Sequence, residues 1–539
     1  MNQTNETVKT NSGALATLII VFFFWGFIAA SNSIFIPFCR THFNLTQFES
    51  QLIGSAFYGA YFIGSLVLYL LSSAFGYDIL NKIGYKRGII YGLGISVIGA
   101  LAIIPSANAN SFPLLLVSLF TVALGFSLQQ TAAQPFAIAL GDPATGSHRL
   151  NLAGGINSLG TTLGPIIVSL FLFGSANAAN LNITVTNINN LYIIVAVVFA
   201  AVALFFFFSN LPEGKDDAKF ESSSKAATSL IAMTIMLVVL VIIGQLTTIS
   251  KFPLKLPLLI VAIIGVVSIL FYSNNLAIKN NEGWGAMKYP QLIWGMLGIF
   301  IYVGVEVTID NNFGALLKTP GYLTGSGLLN SEISKYISLY WGSLMIGRWT
   351  GAISVFGLSK KNKIIASIVV PYIAFGVILG VNHLYGTDIT DLLPYAGVIA
   401  LAIIAFYFGQ EKPVKTLLTL ALLATFTMIF GVLTNGIVSV FAFMAGGLCC
   451  SIMWPCIFSL GLAGLGKYTS QGSAFLIMMI LGGAIIPPFQ GAIGDITNMH
   501  NSYLVAGACF AALAMLALKF RSVLKAQGLN FDEQVSESH

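Results

Sequence analysis

Charge is scarce in this chain. Only 8% of its 539 residues are Asp, Glu, Lys or Arg. Soluble proteins carry about 25%, so a water-facing surface of this size cannot be covered. Cysteine is scarce too: Cys39, Cys449, Cys450, Cys456 and Cys509 form no CxxC pair and lie mostly in apolar runs. That excludes a disulfide framework and a thiolate metal site. The five histidines (His42, His148, His383, His500 and His539) read as loop or tail residues. Neither an HExxH motif nor a Ser–His pair is then available inside a membrane, so no catalytic residue, cofactor or metal is expected.

What is abundant is apolar sequence, 56% of the chain, with 54 glycines. Apolar runs of about 20 residues recur throughout, each long enough to cross ~30 Å of hydrocarbon as a helix. The first, near 14–38, is too long for a signal-peptide core and has no small-residue cleavage pattern after it, so it reads as a retained span. Sixteen candidate spans result, the last near 500–519. Nineteen of the 25 basic residues fall in loops on the N-terminal side of the membrane, and five on the other side. This positive-inside bias predicts a multi-pass protein of the cytoplasmic (inner) membrane with both termini cytoplasmic. It also accounts for the net charge of +6, which implies the lipid bilayer and no nucleic acid as partner. The sequons at Asn44 and Asn182 lie on the predicted outer side and matter only in a eukaryotic host.

Two inner segments match. Gly76-Tyr-Asp-Ile-Leu-Asn-Lys-Ile-Gly84-Tyr-Lys86-Arg87 follows the second span, and Gly347-Arg348-Trp-Thr-Gly351, running on to Ser359-Lys360-Lys361, ends the span 334–357. Positive-inside decoration would explain either one alone. Together they suggest a duplicated bundle, as in many secondary transporters. Gly76, Lys86, Arg87 and Arg348 read as gating or stability features rather than ligand contacts. The charged stretch 211–226 reads as a cytoplasmic linker after a six-helix bundle over 1–210. An inserted helical hairpin and loop is expected over 227–290, then a second six-helix bundle over 291–525, then a tail over 526–539. A second inserted pair is expected within 363–433. The fold class is thus an all-α membrane protein, two six-helix halves plus about four extra helices.

Several ordered motifs carry a resemblance. The first half holds Phe22-Phe-Phe-Trp25-Gly26-Phe27 with Asn32 and Pro37, then Ser55-Ala-Phe-Tyr58-x-x-Tyr61-Phe62. It continues with Gln130-Thr-Ala-Ala-Gln134-Pro135-Phe136, Arg149-Leu-Asn151 and Asn157-Ser158-x-Gly160. The second half holds Tyr302-Val-Gly304-x-Glu306, Ile346-Gly347-Arg348, Trp454-Pro455-x-Ile-Phe458, Gly472-Ser473-x-Phe475 and Gly482-Gly483. In these motifs the chain resembles the fucose:proton symporter family of the major facilitator superfamily, in its glucose/galactose transporter branch. The resemblance implies the major facilitator fold, a monomer, and sugar uptake by alternating access. One departure matters. Proton-coupled fucose transporters of that family carry an Asp directly after the Asn matched by Asn32, and a Glu where Gln130 stands. Here the residues are Ser33 and Gln130, neither of which exchanges a proton at physiological pH.

Of the nineteen acidic residues only Glu306 and Asp310 lie well inside an apolar span. Their spacing of four puts them on one face of a helix. A carboxylate near the bilayer centre costs roughly 3 kcal/mol or more, so it faces a cavity or a partner. The two read as an ion-coupling site, with Glu306 also contacting substrate; a structural pair satisfied by Asn311, Asn312 or a neighbouring helix is the competing reading. Gln130 and Gln134 share a face beside Pro135 and offer both donors and acceptors, which suits sugar hydroxyls. Interhelical hydrogen bonding is the alternative for them and for Asn157. Trp25 and Trp454 are candidate stacking platforms for a pyranose, with core packing as the competitor. The expected substrate site is therefore Trp25, Asn32, Gln130, Gln134, Asn157, Glu306, Asn311 and Trp454. The expected function is uptake of a hexose-like sugar (glucose, galactose or fucose class) coupled to a proton. Sodium coupling, an uncoupled uniporter and a non-transporting sugar sensor remain as alternatives.

Overall fold

In hydrocarbon no water is present to satisfy backbone N–H and C=O groups, so an apolar chain crosses as helices whose hydrogen bonds close within each segment. The computed structural model describes residues 10–44, 47–142, 145–173, 184–212, 223–249, 255–328, 330–409 and 412–529. Among them every regular element is helical. The first half contains α1 (Ser12–His42), α2 (Gln47–Phe75), the short α3 (Ile79–Ile83) and α4 (Tyr85–Asn108). It ends with α5 (Phe112–Ala139), α6 (Gly146–Phe173) and α7 (Val185–Phe208). The hairpin α8 (Ser224–Ile249) and α9 (Lys255–Lys279) follows. Next come α10 (Pro290–Leu317), α11 (Asn330–Ala352), α12 (Lys360–Leu384), α13 (Tyr395–Gly409) and α14 (Pro413–Leu433). Two broken rods come after these, α15 (Gly436–Cys450) with α16 (Met453–Leu462), and α17 (Thr469–Met478) with α18 (Gly482–Ile496). The short α19 (Met499–Ser502) leads into α20 (Leu504–Ala526).

Thirteen helices or helix runs are long and apolar enough to cross a membrane among the described residues. Three more complete the sixteen rods: α1 and α6, whose side chains are described only in part, and α11, which carries Glu332, Lys335 and Arg348. The helix pairs differ sharply in burial. Only 17% of the α8 span is buried, against 83% of α10. Within 363–433, α14 packs on α15 and α20, α12 mainly on α11, and α13 mainly on α14, and the α12 and α13 spans are the less buried, at 28% and 33% against 39% for α14. The outermost pair there is therefore α12 and α13. The expected linker lies largely outside the described residues, although Ser223 is described and buried.

Close crossings need glycine. A Cβ on Gly26 of α1 would lie 1.9 Å from the Asn157 carbonyl oxygen of α6, and one on Gly160 would lie 2.2 Å from that of Phe23. The same holds where α17 gives way to α18 through a tighter turn at Met479–Leu481: a Cβ on Gly482 would lie 1.8 Å from the Phe300 carbonyl oxygen of α10. One sequence reading needs correction. His42, His148, His383 and His500 lie within α1, α6, α12 and α19 near helix ends, not in loops; His539 lies outside the described residues.

Asn11 and Leu529, near the two ends of the described residues, lie at one end of the bundle, called here the terminal end. The N–H of Asn11 donates to the Leu140 carbonyl at 2.8 Å, and Leu529 packs against Gly464. At this terminal end the halves are bonded together. Asp78 accepts from the Ser470 hydroxyl at 2.9 Å, and the Asn81 amide donates to the Lys467 carbonyl at 3.1 Å. Ser473 donates to the Thr131 carbonyl at 2.8 Å, and the Tyr69 ring meets Phe475 edge-on at 4.8 Å. The Tyr69 hydroxyl also donates to the carbonyl of Ser223 at 2.8 Å, and the Gln471 amide to the Ser223 hydroxyl at 3.2 Å. Ser223 is thus wedged into the seam between α2 and α17.

Candidate functional site at the seam of the two halves

Glu306 lies near the middle of α10 and is 9% exposed. One turn earlier Tyr302 donates its hydroxyl to Glu306 Oε1 at 2.6 Å. Arg348 of α11 brings Nη2 to 3.6 Å from the same oxygen. Tyr340 of α11 donates to the backbone carbonyl of Glu306 at 2.7 Å. Arg348 does not stop at the carboxylate. Its Nη1 donates to the Ser158 hydroxyl at 2.9 Å and to the Gly154 carbonyl at 3.4 Å, both on α6, while Nε donates to the Ser451 carbonyl at 3.3 Å. One guanidinium therefore holds a carboxylate of the second half and a helix of the first. Trp349 adds a parallel link, donating its indole N–H to the Gly155 carbonyl at 3.1 Å. Removing one partner of a buried ion pair strands the other and costs about 3–5 kcal/mol, so the link is strong while the pair is ionised.

Asp310 lies one turn further along α10. Trp341 of α11 lies beside its carboxyl, whose Oδ1 is buried without a hydrogen-bond partner. Tyr58 of α2 faces both carboxyls from across the seam and touches the position of Gly483 in α18. Gln130 of α5 is half-buried and donates its amide to the Tyr61 hydroxyl of α2 at 2.9 Å. Asn157 of α6, also half-buried, donates to the Phe22 carbonyl of α1 at 2.9 Å. Gln134 is buried one turn beyond Gln130, beside Pro135.

The aromatic candidates divide. Trp454 is half-buried, with its ring 6.0 Å from that of Tyr302 and stacked on Phe458 at 5.7 Å. Trp25 is 4% exposed, packs on Phe22 at 4.5 Å, and donates its N–H to Gln129 Oε1 at 2.7 Å. In this state the ring of Trp25 is part of the first half's packing, the competing reading to a sugar platform. Asn311 is exposed, about 140° round the helix from Glu306. It is Asn312 that turns inward, donating to the carbonyls of Thr308 at 3.0 Å and Pro487 at 3.4 Å. Asn32 lies in α1, but its side chain is outside the described residues.

The gating candidates also separate. Lys86 donates to the carbonyls of Phe207 at 3.1 Å and Ser209 at 2.7 Å, closing the end of α7 within its own half. Gly76 adopts a left-handed φ of 71° that ends α2, and Arg87 is exposed. In that loop the cross-half bonds come from Asp78 and Asn81, which the basic cluster had obscured. Arg348 does bridge the halves, through Ser158 and Gly154 of α6, while it pairs with Glu306 of α10, a pairing hidden from the sequence because its members sit on different helices. Gln129 and Tyr340 are not marked by the sequence, and Tyr58, Tyr61 and Tyr302 enter it only as motif residues, not as site candidates. Polar side chains within an apolar run were the available signal for each.

This architecture is the major facilitator fold. It overlays with a TM-score of 0.62 on the crystal structure of the E. coli fucose:proton symporter, at 22% sequence identity, covering 94% of this chain and 98% of that one. A major facilitator superfamily transporter crystallised in the outward conformation gives the same TM-score at 23% identity. In sequence, the chain is 29% identical over 516 residues to a glucose/galactose transporter of Brucella abortus, covering 96% of each chain. It is 26% identical over 523 residues to an L-fucose–proton symporter of Escherichia coli, covering 94% of this chain and 92% of that one. The resemblance carried by the motifs thus extends over nearly the whole length, and these relatives are transporters rather than enzymes. No family model matches the chain.

Proposed function

We propose that this protein is a secondary transporter that takes up a hexose-like sugar by alternating access, coupled to a proton through Glu306. The observation that carries the reading is the link from Glu306 through Arg348 to Ser158 and Gly154 across the seam. With Glu306 ionised, Arg348 is held between the halves. With Glu306 neutralised, the guanidinium loses its counter-charge and its hold on α6 changes. Ion binding and gate geometry are coupled through one side chain. The relatives, named for glucose, galactose and fucose, support the sugar class.

The positive-inside bias makes the terminal end cytoplasmic. The bonded seam at that end then corresponds to an outward-facing state, in which the polar groups near Glu306 are reached from outside. Gln130, Asn157, Tyr58 and Trp454 supply the hydroxyl-binding and stacking groups of the sugar site, and Asp310 assists Glu306. The peripheral pairs α8–α9 and α12–α13 are read as the two insertions into a twelve-helix core.

Sodium is the second reading. It is favoured by the unpartnered, buried Oδ1 of Asp310 beside Glu306, since a hard cation seeks carboxylate oxygen. Uptake of radiolabelled D-glucose, D-galactose and L-fucose into proteoliposomes, with proton and sodium gradients imposed separately, tests both. Accumulation driven by the proton gradient alone is expected. Accumulation driven only by sodium replaces the proton, and equilibration under either gradient without accumulation removes coupling altogether.

A further inference from the structure

A cavity of about 680 Å³ lies away from Glu306, at the terminal end, where α6 begins and α11 ends against the peripheral pair α12–α13. Its two walls differ in chemistry. Toward the pair it is apolar, formed by Ile364 and Ile368 of α12 and by Ile404 and Tyr407 of α13, all of which are exposed on the bundle surface. Toward the core it is polar, and it includes Asn151. That side chain is 1% exposed, yet its Oδ1 has no hydrogen-bond partner. A buried acceptor left unpaired costs about 1–3 kcal/mol, so a donor belongs there. Lys360 and Lys363, from the first turn of α12, also line the cavity, with Lys361 adjacent in sequence.

We propose that this cavity binds an anionic phospholipid of the phosphatidylglycerol type. The phosphate meets Lys360 and Lys363, a headgroup hydroxyl donates to Asn151, and the acyl chains run along the isoleucines of α12 and α13. Basic pockets between helices at a cytoplasmic surface suit such headgroups. The long apolar wall favours a lipid over a soluble phosphate ester, which would leave that wall unused. The position gives the lipid leverage on the gate. The His148 ring of α6 is hydrogen-bonded to the Gly351 carbonyl of α11 at 3.0 Å, and the Asn151 amide packs against Gly351. A lipid seated here touches both α6 and α11 while they are together. It loses one wall when they part, so it favours the state closed at this end.

The test is native mass spectrometry of the full-length protein in detergent, titrated with phosphatidylglycerol, phosphatidylcholine or inorganic phosphate. One tightly retained phosphatidylglycerol is expected, with phosphatidylcholine retained far less. Lys360→Gln with Lys363→Gln should weaken retention roughly ten- to thirtyfold, about 1 kcal/mol for each surface lysine. Ser367→Trp fills the cavity without altering charge and should also abolish retention, whereas Lys279→Gln, on α9, should leave it unchanged. Retention equal to the unmodified protein in either cavity variant overturns the site. Lysine-dependent binding of inorganic phosphate without phosphatidylglycerol also overturns it, assigning the cavity to a soluble anion.

Discussion

At the residue scale the account turns on which polar side chains are committed to the fold and which remain for a ligand. Trp25 and Gln129 satisfy one another deep in the first half, whereas Gln130, the next residue on α5, reaches Tyr61 at the seam. Successive residues on a helix point about 100° apart, so one position separates a packing amide from a candidate sugar contact. Gln130→Ala should weaken apparent sugar affinity several-fold to tenfold, the worth of a neutral hydrogen bond of about 0.5–1.5 kcal/mol, as read from binding titrations. Unchanged affinity would return Gln130 to the packing group. The ion pair makes a separate prediction. Arg348→Gln strands Glu306 in a buried site and should lower thermal stability clearly. Arg348→Gln combined with Glu306→Gln should recover much of the loss, because the pair is then replaced by two neutral groups. A double variant no more stable than Arg348→Gln alone would deny the pairing.

The pairing also shows where sequence reading stops. Glu306 and Asp310 were legible because a carboxylate in an apolar run is expensive and rare. The partner was not, because Arg348 lies near a basic cluster at the end of its helix and reads as part of the inner boundary. Only the packing of α10 against α11 places the guanidinium 3.6 Å from the carboxylate. Asn311 and Asn312 show the same limit: sequence alone offered both, and helix rotation decided between them.

At the element scale the sequence specified more. Apolar length gave the rods, and the doubled motif gave two halves. What it could not give is how the halves meet, since that depends on contacts between segments far apart in the chain. Nothing in the sequence marks Asp78, Asn81, Ser223 and Ser473 as partners across the halves, yet their bonds close the terminal end. The prediction at this scale concerns that seam. Cysteines at Asn81 and Lys467 should be joined by a short bifunctional thiol reagent, and the join should block transport while leaving sugar binding from the far end intact. Cross-linked protein that still transports would mean this seam does not open in the cycle.

At the scale of the whole molecule, orientation and cycle are at issue. Lys82→Cys and Asn110→Cys lie at opposite ends of the α3–α4 segment, and both positions are exposed. An impermeant thiol reagent applied to intact cells should label Asn110→Cys, and should reach Lys82→Cys only after permeabilisation. The central claim is that neutralising Glu306 is the event that couples ion to sugar, through the hold of Arg348 on the first half. The most direct test is Glu306→Gln in proteoliposomes, comparing sugar–sugar exchange with gradient-driven accumulation. Glutamine keeps the shape and remains fixed in the neutral form. Exchange requires only that the loaded carrier reorients, whereas accumulation requires the ion to load and leave. The account predicts that exchange survives at least in part while accumulation is abolished. Sugar still concentrated by the variant under the same ion gradient would contradict it.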